Sequence, residues 1–193
     1  LKPDYFKRIV VRLKENSPDV IYMVSYLKDG AMLVKNIRDA KIKSLLCGGA
    51  GGFTSQKFIA AAGTSANHLL TATLWTHQLS YPGTRDYYNR YVNKYSIAPD
   101  YHGAEAYSAL LVAADALKRA KSFRPASIRT ALDQTDLMTP FGPVKFMSYN
   151  KFERQNSLPT QVLQVINGKF ECVWPETLAT SKFTPQPDWR EAE

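Results

Sequence analysis

Residues 18–53 read PDVIYMVSYLKDGAMLVKNIRDAKIKSLLCGGAGGF, two apolar runs with a helical pattern between them. Val20 to Tyr26 is a short apolar run rich in β-branched and aromatic side chains, the composition of a buried strand. Asp29-Gly30 then turns the chain, and Ala31 to Ala40 places Met32, Leu33 and Ile37 at helical spacing. Ser44 to Cys47 is a second short strand, ended by the glycine loop Gly48-Gly49-Ala50-Gly51-Gly52. Strand, helix and strand at this rhythm predict parallel strands joined by helical crossovers.

Upstream, Phe6, Ile9, Val10 and Leu13 mark an amphipathic helix with Asp4 as its N-cap, broken by Pro18-Asp19. Helical patterning begins at Leu1, with no charged-then-apolar leader before it, which suggests a fragment or a processed product. Downstream, Ser55 to Ala62 is a third helical piece and Leu69 to Trp75 a third strand. Ser80-Tyr81-Pro82-Gly83 then reads as a linker.

Beyond the linker the composition changes. Thr84 to Tyr95 is a polar helix carrying Tyr87, Tyr88, Tyr91 and Tyr95, and Gly103 to Ala120 is the longest and most apolar helix. Pro125 to Leu132 is another helix, and Val144 to Met147 a short strand. Gln161 to Ile166 and Phe170 to Trp174 flank Asn167-Gly168-Lys169, a strong hairpin signal. The tail after Pro175, with Pro185, Pro187 and Trp189, reads as irregular.

Bulk properties narrow the function. The 193 residues carry a net charge of +8, yet the Lys and Arg residues are scattered rather than clustered, so a soluble basic surface is preferred over a nucleic-acid interface. Apolar runs fall well short of the eighteen or so residues that a membrane span needs. Cys47 and Cys172 each sit in an apolar run without a neighbouring Cys or His at metal-ligand spacing, so no metal is expected, and a disulfide between them stays open. His68, His77 and His102 do not form a zinc-binding pair, and no nucleophile elbow is present, so no catalytic residues and no cofactor are expected.

The order of the pieces carries a resemblance. Ser17-Pro18-Asp19-Val20-Ile21-Tyr22 is followed by the glycine loop, Phe58-Ile59 and Ala62-Gly63. Next come Tyr91-Val92-Asn93-Lys94-Tyr95, Ala104-Glu105-Ala106-Tyr107-Ser108-Ala109-Leu110 and Ile128-Arg129-Thr130-Ala131-Leu132. Phe141-Gly142-Pro143-Val144-Lys145-Phe146 and Gln161-Val162-Leu163-Gln164-Val165 close the series. Together they resemble the C-terminal half of type 1 periplasmic binding proteins of the leucine/isoleucine/valine branch. The resemblance covers nearly the whole chain.

It implies an α/β protein: a parallel-sheet Rossmann-like lobe plus the returning part of the other lobe, with a small molecule held between them. Carried onto this sequence, residues 1–79 belong to lobe two, 80–156 to the returning part of lobe one, and 157–193 cross back to lobe two with the hairpin and tail. The implied partners are a small carboxylate or amino-acid-like ligand, the membrane permease subunits of an ABC importer, and the N-terminal half of the same receptor. The implied location is periplasmic or extracellular. A ligand-sensing module of the same fold, and a Rossmann-like enzyme using Gly48–Gly52, are the alternatives.

Ligands of open α/β sheets sit beyond the carboxyl ends of the strands. This places Ser25 and Tyr26 at the site, Tyr26 being either an aromatic stacked on the ligand, as the resemblance implies, or a strand-end surface tyrosine. Ala50 and Gly51 lie in the glycine loop, which opens a helix suited to an anion, with Phe53 as an apolar wall. Relatives of amino-acid specificity carry an acid here that meets the ligand's ammonium group; Ala50 and Gly51 supply none, although Glu105 can substitute. Tyr107 is implied to touch the ligand from the far side, and Trp75 to line either the cleft or the hinge.

Overall fold

In chain order the elements are α1 (Pro3–Asn16), β1 (Val20–Val24), α2 (Leu27–Asp39), β2 (Leu45–Gly49), α3 (Gln56–Ala62), β3 (Leu70–Thr73), α4 (Thr84–Tyr95), α5 (Tyr101–Arg119), α6 (Pro125–Asp133), β4 (Asp136–Thr139), β5 (Gly142–Lys145), β6 (Met147–Tyr149), β7 (Phe152–Gln155), β8 (Gln161–Ile166) and β9 (Lys169–Trp174). The structure is a computed structural model and describes residues 3–49 and 51–187. The chain divides into two units, Leu1–Thr73 with Gln161–Glu193, and Leu74–Thr160. It thus passes between them after Thr73 and again after Thr160, a few residues from the crossings expected at about 79 and about 156. Trp75 donates its indole N–H to the Pro140 carbonyl at 2.8 Å, and Leu158 packs against Gly142, so both belong to the second unit.

The first unit is a five-stranded sheet in the order β1-β2-β3-β8-β9. β1 and β2 are parallel, from Val20 opposite Leu45 to Val24 opposite Gly49, and β3 continues the parallel set with Leu70 opposite Cys47. The returning hairpin adds two antiparallel strands, β8 on β3 and β9 on β8. Asn167 and Gly168 turn it with φ of 50° and 74°, the left-handed pair that a two-residue hairpin requires. Helix and sheet meet in a core that includes Ile21, Met23, Val34, Ile37, Leu46, Phe53, Phe58, Leu69 and Val165. A large apolar side chain buried in this way contributes about 1.5–3 kcal/mol.

Three local readings change. α1 begins at Pro3, where a missing N–H costs nothing, so Asp4 lies inside its first turn. Asp29 and Gly30 lie inside α2 rather than at a turn. Gly30 is there for close packing, because a Cβ would stand 2.9 Å from the Phe53 ring. The expectation of a buried strand at Val20 holds on one face only, since Ile21 and Met23 are buried while Val20, Tyr22 and Val24 are exposed.

The tail crosses the sheet face opposite the core. Gln164 is fully buried and grips it with both amide atoms: Nε2 donates to the Thr184 carbonyl at 2.9 Å, and Oε1 accepts from the Thr184 N–H at 2.8 Å. Gln186 then donates to the Lys43 carbonyl at 3.1 Å. The two cysteines are free. Cys47 shares the face of Gln164 through its register with Leu70, whereas Cys172 pairs with Leu163 on the core face. Three strand spacings put them about 14 Å apart, too far for a disulfide.

The second unit is helical with two small antiparallel ribbons, β4–β5 and β6–β7. Thr84 joins Trp75 on the Pro140 carbonyl at 2.8 Å, and the Phe141 N–H donates to Ser108 Oγ at 3.2 Å. α5 starts at Tyr101 because Asp100 caps it, accepting from the Gly103 N–H at 3.1 Å. Arg119 ties α5 to α6 by donating to the Ala131 carbonyl at 2.7 Å while pairing with Asp115.

Candidate functional site

The carboxyl ends of β1 and β2 bring Ser25, Tyr26 and Gly51 together. A Cβ on Gly52 would overlap the Ser25 carbonyl and the Tyr26 and Leu27 backbone, so the glycine allows the two loops to touch main chain to main chain. Tyr26 is 85% exposed, with its ring in solvent at the mouth of these loops. It is also the N-cap position of the thirteen-residue α2, and its side chain makes no capping bond. The first turn of α2 also carries the acidic Asp29, so this helix start is already compensated by a carboxylate of the chain.

The glycine loop differs from its expected form. Gly51 to Phe53 form a 3-10 turn, and α3 begins only at Gln56, so the glycines do not open that helix directly. Ala50 lies outside the described residues. Phe53 is not an apolar wall. It is fully buried, tilted against Phe58 at 5.1 Å, and Gly48 lacks a Cβ because the Phe53 ring fills that space. Ser55, which the sequence did not single out, has a buried hydroxyl with no hydrogen-bond partner.

The remaining candidates lie in the second unit. Trp75 is 3% exposed, with its N–H on Pro140 and its ring edge-on to Tyr87 at 6.0 Å, so it is an interior anchor rather than a lining residue. Glu105 is exposed, and two residues on, Tyr107 projects from a different side of α5. Tyr107 accepts from Arg90 Nη2 at 3.1 Å and lies 5.0 Å from the Tyr87 ring.

The α4 part of this cluster was legible as a stripe of tyrosines four residues apart, at 87, 91 and 95, to which no role was assigned from sequence. Tyr87, Tyr91, Tyr95 and Tyr107 line an open groove of about 400 Å³, with Arg90 and Lys94 at its rim. Lys94 stands 5.3 Å over the Tyr95 ring, and Arg90 5.8 Å over Tyr107. Burial, and next the neighbouring Tyr91, push the Tyr87 phenol up to about 12. Its hydroxyl is buried and has no hydrogen-bond partner. Hydrogen bonding to Tyr107 raises the Arg90 guanidinium above its ordinary value, which keeps it charged. Among the described residues no cluster of His, Cys, Asp and Glu is arranged to hold a metal ion.

Loops gathered at the carboxyl ends of parallel strands, with an exposed aromatic beside them, define an open α/β sheet of the class whose ligands sit at that end. The particular family follows from sequence: the family model for periplasmic binding proteins matches residues 2–169, and the chain belongs to that family. Among curated proteins, Leu/Ile/Val-binding protein homolog 8 of Brucella suis biovar 1 (strain 1330) is 28% identical over 187 residues, covering 90% of this chain and 45% of that protein. Homolog 7 of the same strain is 27% identical over 184 residues with the same coverage. The chain therefore spans about half the length of the curated relatives it matches.

Solved structures share the fold. The substrate-binding protein LivJ of Streptococcus pneumoniae, in complex with isoleucine, superposes with a TM-score of 0.73 at 20% identity, over 86% of this chain and 47% of that one. A solute-binding protein from R. palustris in complex with benzoate gives 0.72 at 19% identity, over 87% and 46%. A branched-chain amino acid ABC transporter protein from Silicibacter pomeroyi gives 0.74 at 18%, over 95% and 51%.

Proposed function

We propose that this chain is part of an exported solute-binding receptor of an ABC importer, and that its ligand is a small carboxylate or amino-acid-like metabolite. The observation that carries the reading is the mouth formed at the carboxyl ends of β1 and β2 by the exposed Tyr26 ring and the Gly51–Gly52 backbone. The Tyr26 ring offers a flat apolar surface there, and the main chain of the glycine loop beside it can meet the polar head of a small ligand. Permease subunits and the remaining part of the receptor are the proposed macromolecular partners. No catalytic role is assigned.

The ligand class follows from what the loop lacks. Gly51 brings no carboxylate to pair with an ammonium group, and the neighbouring position is Ala50. An ammonium enclosed without an acceptor is costly, so the reading favours ligands without a free α-amine. Of the fold neighbours, one holds isoleucine and another benzoate, and the second is the closer chemical precedent. Thermal-shift screening of the complete receptor is the test. Deaminated acids, such as benzoate and the keto acids of leucine, isoleucine and valine, raise the unfolding midpoint more than the amino acids do. A strong shift with leucine, isoleucine or valine but none with the keto acids would place the ammonium partner elsewhere, with Glu105 the first candidate, and overturn the ligand assignment.

A further inference from the structure

One end of the second unit is strongly basic. Between Asp115 and Asp133 the chain carries Lys118, Arg119, Lys121, Arg124 and Arg129 and no acid. Small and apolar residues space them out along the sequence, but folding gathers them. Lys118 and Arg119 form the last turn of α5, Lys121 and Arg124 lie in the short connection to α6, and Arg129 follows in its second turn. Arg119 is occupied by Asp115 and the Ala131 carbonyl. Among the described residues the side chains of the other four have no ion pair or hydrogen bond.

At the apex stands Phe123, between Ser122 and Arg124. It is 82% exposed, more than any other large apolar side chain described except Tyr26. The connection is nonetheless structured. The Ser122 N–H donates to Ser127 Oγ at 3.1 Å, and the Arg124 carbonyl accepts from the Ser127 and Ile128 N–H groups at 3.0 and 3.1 Å. An ordered loop thus holds a bare aromatic ring in water amid four free cations.

This pairing matches an anionic bilayer. A ring can enter the boundary between acyl chains and headgroups while cations stay among the phosphates. Single-stranded nucleic acid takes successive aromatics to stack on, and residues 118–129 offer one. An acidic protein surface accounts for the cations but needs a cavity opposite Phe123, whereas a deformable bilayer accepts a convex tip without one.

We propose that the α5–α6 connection is a membrane-surface contact for anionic phospholipid. Phe123 is the inserted residue, and Lys118, Lys121, Arg124 and Arg129 bind the headgroups. Tyr26 and the glycine loop take no part, so the ligand reading stands or falls separately.

The test is co-sedimentation of the chain with vesicles of phosphatidylglycerol and phosphatidylcholine in equal parts, against phosphatidylcholine alone. Binding is expected to the first and not to the second, and it should fall at high salt. Lys121→Gln with Arg124→Gln should weaken it by about tenfold or more, and Phe123→Ala by about fivefold. All three positions are exposed, so the unfolding midpoints should not move. Lys7→Gln with Arg12→Gln removes the same charge from exposed positions on α1 and should weaken binding far less. Equal binding to neutral vesicles, equal sensitivity to both pairs, or indifference to Phe123→Ala overturns the proposal. In Phe123→Trp, anionic vesicles should shift the emission to the blue beyond the shift of the parent chain. Binding without that extra shift leaves the ring in water and overturns the proposal too. A chain that ignores the vesicles but binds polyglutamate, and loses it with the same substitutions, has an acidic polypeptide as its partner, which also overturns the lipid assignment.

Discussion

Tyr87 shows how one side chain sets a pH limit. Its phenol is held at about 12, against an ordinary value of 10.0, chiefly by burial. As pH rises past about 10 the unfolded chain loses this proton first. The stabilising contribution is thus complete below about pH 10 and is lost between about 10 and 12. Tyr87→Phe should flatten the alkaline fall in stability of the second unit. At neutral pH it should cost little, because the hydroxyl removed has no hydrogen bond to lose. Denaturant midpoints of both proteins at several pH values measure this, and superimposable alkaline profiles would sink it. The same residue marks a limit of sequence reading. A tyrosine stripe is visible in the sequence, but which ring is buried, and that its hydroxyl is left alone, depends on where α5 packs. Phe53 and Trp75 were misread for that reason: apolar aromatics near strand ends suit a ligand wall and a core equally, and only burial separates them.

At the scale of elements, legibility followed pattern strength. α4 and β8 were readable to the residue, because long helical periodicity and an Asn-Gly turn leave few alternatives. β4, β6 and β7 were missed. β6 and β7 are exposed at every position, so they carry no alternation, and Asp136-Leu137-Met138-Thr139 is held by pairing with Gly142–Lys145 rather than by its own composition. The tail was read as irregular, and its sequence hides that Gln164 holds it. A buried glutamine whose amide has both groups filled by one backbone residue is a clamp, and Gln164→Leu should release it. Hydrogen exchange at Thr184 is then expected to rise by about tenfold or more, with the hairpin amides of Leu163 and Val165 still protected. Unchanged exchange at Thr184 would mean that the tail is held elsewhere.

For the molecule as a whole, the chain carries strand-end loops of one unit and the tyrosine groove of the other, in about half the length of its relatives. Pockets for small ligands bury most of the ligand surface, so groups from the remaining length matter to affinity. The chain alone should bind benzoate or a keto acid at least about a hundredfold more weakly than the complete receptor does. Calorimetry on both, with the same compound, measures this, and equal affinities would show that the chain is self-sufficient.

The hairpin β8–β9 sits beside β3, although the whole of Leu74–Thr160 lies between them in sequence. On the ribosome this ordering has a temporal meaning. The second unit leaves the exit tunnel as one continuous stretch and can collapse at once. The first must wait with β3 as an open edge until residue 161 and beyond arrive, because no earlier strand pairs with that side. Long waits with unpaired parallel strands invite aggregation. Whatever holds the chain unfolded until residue 161 and beyond are available therefore shortens the exposure of that edge, and holding chaperones should raise the yield of this protein.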